Sequence, residues 1–412
     1  MRSLRDEWSR LEAVDPTSRN AAGPAAEIDF ALLPSQGIEI PDYHALMRRL
    51  RERERISPVT FAGRPSWLVT HHDDVIALLE DETRFSSRAL HEANSFPVMG
   101  RNVMGMEGDE HRIHKALVAP AFRRAFVQSR HVEPILRPLC HELIDRFESR
   151  REVDLVAEFT KAFPLTVISR LLGLPIADEK TFSRWAMALI AYAFVPDEAR
   201  EASIQFDRIL TPLLAERRNR PGDDLLSMLA HAEVEGTRLT DDLALSFIRV
   251  IFAAGTDTTY NAVGSAIHAL LTHPEALARV RADRARLAGA VEELLRWNGP
   301  IGVLPRILPV DAELLGQKMP AGSTVLAGLS AATRDPEVFA DPDRFDIDRK
   351  LRNQLAFGYG QHYCLGAHLA RAELEVALDV LLERLPRMHL VEEPRFVGCV
   401  IRGPERLRVA LD

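Results

Sequence analysis

The segment that decides the fold is "FGYGQHYCLG", residues 357–366 of a 412-residue chain. It surrounds Cys364 with three glycines, three aromatic rings and His362. The next residues, "AHLARAELEVALDVLLERL", repeat apolar positions at three-and-four spacing, which predicts an amphipathic helix that begins just after the cysteine. The sequence therefore places the sulfur at a helix N-terminus, where unpaired N–H groups and the helix dipole favour a thiolate.

A thiolate presented in this way fits several chemistries. It can be a redox or nucleophilic cysteine, a zinc ligand together with His362 and His368, or the axial ligand of haem iron. A lone nucleophile does not need so much glycine and aromatic surface, and zinc wants three or four ligands although no second cysteine lies nearby. An inert buried cysteine is the remaining alternative. Glycines at 358, 360 and 366 allow the backbone to approach something flat and bulky.

The overall composition is that of a globular protein, with 46% hydrophobic and 27% charged residues. A net charge of -8 argues against nucleic acid as the main partner. The three cysteines are too few and too scattered for a disulfide framework, so a reducing compartment is expected. The N-terminus lacks the apolar core of a signal peptide, and the longest apolar run, residues 186–195, is shorter than the about 20 residues a membrane span needs. We expect a cytoplasmic monomer without membrane contact.

Hydrophobic periodicity predicts a mainly α fold with a small β subdomain. Helical spacing dominates residues 107–300, whereas strand patterns occur near residues 58–69 and return only after Pro300. The longest predicted helix begins after Thr240, a plausible N-cap, and runs to Pro274. No linker divides the chain, so one domain is predicted over residues 41–412, preceded by an extended surface leader over residues 1–40.

The cysteine segment resembles the haem-binding loop of the cytochrome P-450 family, the thiolate-haem monooxygenases. The phenylalanine stands seven residues before the cysteine, and glycines stand four before and two after it. The resemblance implies haem b with Cys364 as the iron ligand, Phe357, Gly358 and Gly366 against the cofactor loop, and His362 as a donor to a haem propionate. It also implies the P-450 fold, with haem between the long central helix and the helix after the cysteine loop. An anionic sulfur ligand favours O–O cleavage.

The middle of the long helix, "AAGTDTT" at residues 253–259, is similar to the oxygen-activating segment of the same family. The resemblance implies that Asp257 and Thr258 are the catalytic acid and alcohol, and that Ala254 and Gly255 contact haem. A buried acid and hydroxyl can hold waters and pass protons to dioxygen that reacts at the haem. A threonine hydroxyl bonded back to its helix also loosens the helix locally.

A third segment, "VEELLRW", puts Glu293 and Arg296 on one helix face. By itself this is an ordinary surface pair worth a few tenths of a kcal/mol. It resembles the family's Glu-x-x-Arg pair, and "DPDRF" matches the segment that supplies the third member, Arg344. The resemblance implies a structural clamp on the loop that carries the thiolate.

Cations for the haem propionates are implied at three further positions. Arg306, in "VLPR", sits where the family places a propionate-binding arginine, and His111 matches the histidine of its His-x-x-x-Arg pattern. Lys115 stands where that pattern has arginine, so it pairs with a carboxylate as a point charge and not as a bidentate fork. Arg112 is an alternative donor for the same carboxylate.

Electrons are expected from a separate protein, because the resemblance extends from about residue 40 to the end without a reductase or ferredoxin segment. Residues 111–130 carry cations and no acid on an otherwise acidic chain. In the family this helix flanks the thiolate side, which predicts a docking face for an acidic iron-sulfur ferredoxin or a flavodoxin. Its cations are Arg112, Lys115, Arg123, Arg124 and Arg130.

The residues at the family's pocket positions are apolar, which predicts a lipophilic small-molecule substrate. They are Phe96, Met99, Met104, Leu189, Val250, Ala254, Val303 and Ile401. The predicted reaction is hydroxylation or epoxidation with O2 and two electrons. The alternatives are a peroxide-driven enzyme, which should lack the acid and alcohol pair, and a non-catalytic haem sensor, which needs no proton relay.

Overall fold

The computed structural model describes residues 28–174, 179–192 and 195–411. The leader predicted over residues 1–40 lies outside the described residues as far as residue 27. Helices dominate the described chain, and the strands form small sheets, so the prediction of a mainly α protein with a small β subdomain is confirmed.

The α-helices are numbered in chain order. They are α1 (Tyr43–Arg53), α2 (His72–Glu80), α3 (Ser87–Ala93), α4 (Phe96–Met99), α5 (Gly108–Val118), α6 (Arg124–Val127), α7 (Arg137–Asp145), α8 (Ala162–Leu171), α9 (Glu179–Ile190), α10 (Pro196–Asn219), α11 (Leu225–His231), α12 (Asp241–Thr272), α13 (Pro274–Ala282), α14 (Leu287–Asn298), α15 (Leu329–Ala332) and α16 (Ala367–Arg384). Two π-helical segments, Gln128–Leu136 and Val156–Thr160, precede α7 and α8.

The largest sheet has four strands in the order β1-β2-β9-β6, and it joins the two strand regions that the sequence predicted. β2 and β9 are parallel, while the outer pairs are antiparallel. The strands are β1 (Ile56–Phe61), β2 (Arg64–Val69), β3 (Glu152–Asp154), β4 (Glu233–Val234), β5 (Thr237–Arg238), β6 (Leu304–Ile307), β7 (Ala312–Leu314), β8 (Gln317–Met319), β9 (Thr324–Ala327), β10 (His389–Leu390), β11 (Phe396–Val397), β12 (Gly403–Pro404) and β13 (Arg408–Ala410).

The central helix, α12, runs for 32 residues without a break. Thr240 is its N-cap, as predicted, since the threonine hydroxyl accepts a hydrogen bond from the backbone N–H of Leu243 over 3.3 Å. At 1.5 Å per residue the helix is about 48 Å long. Most of its residues are buried, because it packs against α8, α9 and α10 and against the helix that follows the cysteine, α16.

The leader predicted to lie on the surface up to residue 40 is buried at residues 30–33 and at Ile40, and exposed at residues 35, 36, 38 and 39. Phe30 has no exposed surface, and residues 31–33 are buried as well. Phe30 and Leu32 pack with α1 and with Cys399 into a second core beside the main one. Burial of an aromatic ring stabilises the fold by about 2–3 kcal/mol, which is enough to hold such a segment against the domain.

No helix within the described residues is both long enough and apolar enough to span a membrane.

Candidate active site

The cysteine loop is a tight backbone structure in front of α16. The N–H of Cys364 donates to the carbonyl of Phe357 over 3.0 Å, which closes the loop. Gly358 and Gly360 both have φ of 72°, in the left-handed region that favours glycine. A side chain on Gly360 would stand 3.1 Å from the carbonyl oxygen of Leu79 in α2. Gly366 has φ of -81°, and a Cβ there would lie 4.0 Å from the sulfur, which is an ordinary contact distance.

The sulfur of Cys364 differs from those of the other two cysteines. Cys140 and Cys399 are buried, whereas Cys364 retains accessible surface. Burial within the surrounding protein raises the pKa of the Cys364 thiol, although the N–H of Gly366 and the charges of Lys115 and Arg371 act to lower it. A metal ion bound to the sulfur would favour the deprotonated form.

Phe357 packs beside this loop through a contact that the sequence did not indicate. The guanidinium of Arg371, on α16, lies 4.4 Å from the centre of the phenylalanine ring. Arg371 also forms an ion pair with Glu292 of α14. An arginine on an amphipathic helix resembles any solvated arginine, so nothing in the sequence marked it.

The middle of the central helix turns one face to open space. Ala254 is exposed although Ala253 and Phe252 beside it are buried. Thr258, one turn later, donates its hydroxyl to the carbonyl of Ala254 over 2.7 Å. α12 stays continuous through this bond. A Cβ on Gly255, which was expected to contact haem, would also meet Ile168 of α8 at 2.8 Å, so the small size of this residue serves the packing of two helices as well.

Asp257 is buried next to this open face, with 5% of its surface exposed. Burial raises the pKa of its carboxyl to about 6, while a hydrogen bond with Tyr260 and the charge of Lys161 act to lower it. The amide of Asn261 donates to the backbone carbonyl of Asp257 over 2.8 Å. The sequence predicted the buried acid but neither Tyr260 nor Lys161 as its partners.

The predicted propionate-binding residues come together in one cluster. His111 and His362 place their rings 4.5 Å apart, and Arg306 and Lys115 are close enough to lower the pKa of His362. Burial is the largest cause of that lowering, and it also lowers the pKa of His111, to about 4. Lys115 binds the cysteine loop itself, because its ammonium donates to the carbonyls of Gln361 and, over 3.0 Å, of Tyr363.

Glu82 is an acid in this cluster that the sequence did not indicate. Its Oε1 lies 3.2 Å from Nε2 of His362, in a geometry that is not a hydrogen bond. Burial raises the pKa of Glu82, and the charge of Glu107 raises it further. Nothing in the segment "LLEDETRF" distinguishes this glutamate from its acidic neighbours.

The Glu293 clamp is present, but its third member is not Arg344. Arg296 and Glu293 are fully buried and form two hydrogen bonds of 2.8 Å. The other guanidinium is that of Arg349, whose Nε donates to Glu293 over 3.1 Å. Arg344 points outward to Asp346 with 66% of its side chain exposed, and it offers only its carbonyl, 3.3 Å from Arg296.

The predicted substrate-pocket residues divide by exposure. Leu189 and Val303 have no exposed surface and belong to core clusters, so they present nothing to a ligand, and their assignment to the pocket is wrong. The exposed fractions of Met99, Val250 and Ile401 are small, at 3%, 6% and 6% of the residue surface. Phe96, Met104 and Ala254 are the members with substantial accessible surface.

The basic segment is partly neutralised by neighbouring acids. Arg112 forms ion pairs with Glu235 and Asp109, and Arg130 pairs with Asp223. Arg123 and Arg124 are exposed, and within the described part of the chain no ion pair holds either of them.

The residues present fit a haem-thiolate site. Among residues 28–174, 179–192 and 195–411, no group of three or more histidine, cysteine or acidic side chains is arranged to hold a metal ion, which removes the zinc alternative there. In the same residues, Nε of Arg306 and Nε2 of His362 are buried without hydrogen-bond partners, an unusual cost unless a ligand accepts from them. The two carboxylates of a porphyrin would accept these hydrogen bonds. Cys364 is the cysteine with an accessible sulfur, and a haem iron held by a thiolate needs one such sulfur.

This combination of a mainly helical fold, one loop-borne thiolate and a buried acid on a central helix defines a haem-thiolate oxygenase. The family model described as Cytochrome P450 matches residues 195–393. The mycinamicin IV hydroxylase/epoxidase of Micromonospora griseorubida is 38% identical over 374 residues, which cover 87% of this chain and 93% of that protein. Cytochrome P450 monooxygenase PikC of Streptomyces venezuelae is 37% identical over 364 residues, 84% of this chain and 85% of that one.

A solved structure agrees with this assignment. The Bacillus subtilis 168 bacillaene polyketide synthase cytochrome P450 PksS superposes with a TM-score of 0.84 at 29% identity, over 90% of this chain and 97% of that chain. The chain belongs to the cytochrome P450 family, and it is a haem-thiolate monooxygenase.

Proposed function

We propose that this cytochrome P450 hydroxylates or epoxidises a lipophilic small molecule, with Asp257 and Thr258 handling the protons and a separate iron-sulfur ferredoxin or flavodoxin supplying the electrons. The observation that carries the proposal is the buried carboxyl of Asp257 next to Thr258, on a stretch of central helix whose Ala254 faces open space. A buried acid lowers stability, so its presence at this position points to a functional use.

Bound haem supplies the iron at which dioxygen is activated. Cys364 would hold that iron, and Arg306, His111 and His362 would bind the carboxylates. The Thr258 hydroxyl already donates to Ala254, so its oxygen lone pairs are left to accept from water. With a pKa of about 6, Asp257 can both take up and release a proton near neutral pH.

The first experiment tests the thiolate. Cys364→Ser should abolish the red-shifted Soret band of the reduced, carbon monoxide-bound protein. Cys140→Ser is the matched control and should keep that band, because Cys140 is buried in the main core. A Cys364→Ser protein with an unchanged spectrum would contradict the assignment.

The second experiment tests the protons. Asp257→Asn and Thr258→Ala should bind haem normally but divert reduced oxygen to peroxide, which lowers the product formed per electron pair by about tenfold or more. If both variants form as much product per electron pair as the unaltered enzyme, the protein does not use Asp257 and Thr258 to transfer protons.

The substrate class is proposed from the apolar side chains Phe96 and Met104 and from the relatives. One relative is named for mycinamicin IV and another solved protein for a bacillaene polyketide synthase. Mycinamicin IV and a panel of lipophilic compounds should be titrated while the haem spin state is followed spectroscopically. Charged polar compounds should leave the spectrum unchanged.

The donor is proposed to dock at Arg123 and Arg124. Arg124 is close enough to the start of α16 to lower the pKa of His368 and to act on Glu375. Reversing both charges should slow reduction by an acidic ferredoxin, and rising salt should slow the unaltered protein in the same way. Lys318→Glu on the β7-β8 hairpin is the matched control. If this variant slows reduction equally, Arg123 and Arg124 are not the docking site.

A further inference from the structure

A buried carboxyl without a hydrogen bond lies beside the residues that we assign to the haem carboxylates. Glu82 follows the end of α2 by two residues, and its side chain is only 10% exposed. Its Oε1 lies 3.2 Å from Nε2 of His362, and neither atom has a hydrogen-bond partner within the described part of the chain. Close packing fixes this arrangement, because a Cβ on Gly360 of the cysteine loop would stand 3.1 Å from the carbonyl oxygen of Leu79 in α2.

The nearest acid, Glu107, is held in a different way. Its Oε1 accepts hydrogen bonds from the Ser86 hydroxyl over 2.6 Å and from the backbone N–H of Arg88 over 3.1 Å. The guanidinium of Arg88 lies 3.7 Å from its other carboxylate oxygen. Donors of this kind favour the ionised form, so Glu107 is stabilised as a carboxylate and its charge is balanced by Arg88. Glu82 has no comparable donors among the described residues, so added negative charge in this cluster favours a proton on Glu82.

Bound haem brings that negative charge as two carboxylates. Arg306 and Lys115 are the cations that act on Glu82. The histidines of the cluster add no positive charge near neutral pH, because burial lowers the pKa of His111 to about 4 and lowers the pKa of His362 as well. Glu82 and the two haem carboxylates therefore face two cations. Neighbouring carboxyl groups in a buried site do not all ionise, so one of the three keeps a proton.

We propose that Glu82 keeps its proton when haem is bound and donates it in a hydrogen bond to a haem carboxylate. The inference rests on the proposed binding of those carboxylates at Arg306 and His362. The haem carboxylate stays ionised beside Arg306 and accepts the hydrogen bond. When haem enters at a pH at which the Glu82 carboxyl of the haem-free protein is ionised, one proton passes from solvent to Glu82, and no other bond is made or broken in that step.

This proton links haem retention to pH. Burial raises the pKa of Glu82 before haem binds, and the charge of Glu107 raises it further, while Arg306 and Lys115 act to lower it. A haem carboxylate raises the pKa again, so the haem-bound protein holds this proton more tightly than the haem-free protein. The contribution to haem affinity is then complete at low pH and is lost as pH rises toward the pKa of the haem-bound form. Buried glutamates reach pKa values of about 8–9, so the loss falls at neutral to mildly alkaline pH.

The test uses the haem-loaded enzyme and four variants. Glu82→Gln keeps an N–H donor but does not ionise, whereas Glu82→Ala removes the donor. Glu80→Gln changes an exposed glutamate two residues earlier and is the matched control. Arg306→Gln tests the placement of the haem carboxylates. The first readout is the infrared band of a protonated carboxyl near neutral pH, taken as the difference between the unaltered protein and each variant. The second is the rate of haem transfer to excess apomyoglobin between about pH 5 and pH 9.

The unaltered protein should show a protonated carboxyl band that is missing from Glu82→Gln, and it should lose haem several times faster at the alkaline end of the series. The rate in Glu82→Gln should be nearly independent of pH. Glu82→Ala should lose haem about tenfold faster than the unaltered protein at the acidic end, because the donor to a charged acceptor is gone. Glu80→Gln should match the unaltered protein in both readouts.

Two outcomes would overturn the role of Glu82. One is a protonated carboxyl band that is the same in the unaltered protein and in Glu82→Gln, and the other is an equal dependence of haem loss on pH in these two proteins. If Arg306→Gln retains haem as tightly as the unaltered protein, the proposed binding of the haem carboxylates is wrong. If Arg306→Gln loses haem faster while Glu82→Gln and Glu82→Ala behave like the unaltered protein, only the inference about Glu82 is wrong.

Discussion

Nε of Arg349 lies 3.1 Å from Oε1 of Glu293 and donates a hydrogen bond to it. The carboxylate therefore lies between two guanidiniums, that of Arg349 and that of Arg296. Arg349 also donates to the carbonyls of Ala340, Asp341 and Arg344, so one side chain ties the clamp to the loop before the cysteine segment. Loss of either arginine should strongly destabilise the protein, because it leaves a fully buried carboxylate with one partner fewer.

The clamp predicts opposite outcomes for two arginines five residues apart. Arg349→Met should lower stability by roughly 3 kcal/mol and reduce the haem content of the purified protein, because Glu293 loses a buried partner. Arg344→Met should change stability by less than about 0.5 kcal/mol, since that side chain is mostly exposed. Thermal unfolding and the ratio of haem to protein absorbance measure both. A larger loss of stability in Arg344→Met than in Arg349→Met would show that Arg344, and not Arg349, is the third member of the clamp.

Lys115 gives a prediction about the thiolate. Lys115→Met removes the donors to Gln361 and Tyr363 and a cation that lowers the pKa of the Cys364 thiol. Stability should fall by about 2 kcal/mol, and the reduction potential of the haem should become more negative because a positive charge near the sulfur is lost. Spectroelectrochemistry measures the potential. Arg112→Met is the control and should leave the reduction potential unchanged, since Arg112 pairs with surface acids.

Arg249 joins three elements around the accessible pocket residues. From the central helix it donates to Asp207 of α10, to the carbonyl of Met99 over 3.0 Å and to the Ser246 hydroxyl over 3.1 Å. Arg249→Met should free α4 and α10 from the central helix, so a bound ligand should dissociate several times faster, with a stability loss of about 2 kcal/mol.

Stopped-flow measurement of the spin-state signal gives the dissociation rate. Arg200→Met, which breaks an exposed pair with Asp197 on α10 itself, is the matched control for that experiment. Equal rates in the two variants would show that the buried pair does not hold the ligand.

The raised pKa of Asp257 predicts a pH-dependent cost in stability. The pKa is 3.8 ordinarily and about 6 in the folded chain, so the native state binds more protons than the unfolded state between these values. Unfolding free energy should therefore fall as pH rises through this window, by about 1.4 kcal/mol per pH unit from this one group.

Asp257→Asn removes that dependence. Its stability advantage over the unaltered chain should grow between pH 4 and pH 6 to roughly 2–3 kcal/mol and then stay constant. Urea unfolding at several pH values measures the difference. A constant difference across the range would show that the acid has an ordinary pKa in the folded protein.

The sequence predicted features that depend on local spacing. The cysteine loop, the N-cap at Thr240 and the buried acid at 257 are each defined within about ten residues, and the structure contains all three. Partners from distant elements were missed: Lys161 lies almost a hundred residues before Tyr260, and "DPDRFDIDR" offers two arginines without showing which one turns inward. The close approach of Ile168 to Gly255 was also missed, because a glycine fits close helix packing as well as close approach to a cofactor.

Residues 28–33 are coupled to residues 399 and 400, which lie far along the sequence. The carbonyl of Leu32 accepts hydrogen bonds from the N–H groups of Cys399 and Val400, and Phe30 packs in the same core as Cys399. During translation that core must wait until residues 399 and 400 have left the ribosome. A chain cut short by a premature stop before residue 396 would leave the carbonyl of Leu32 without these donors and the core without Cys399, and so expose it to cellular quality control.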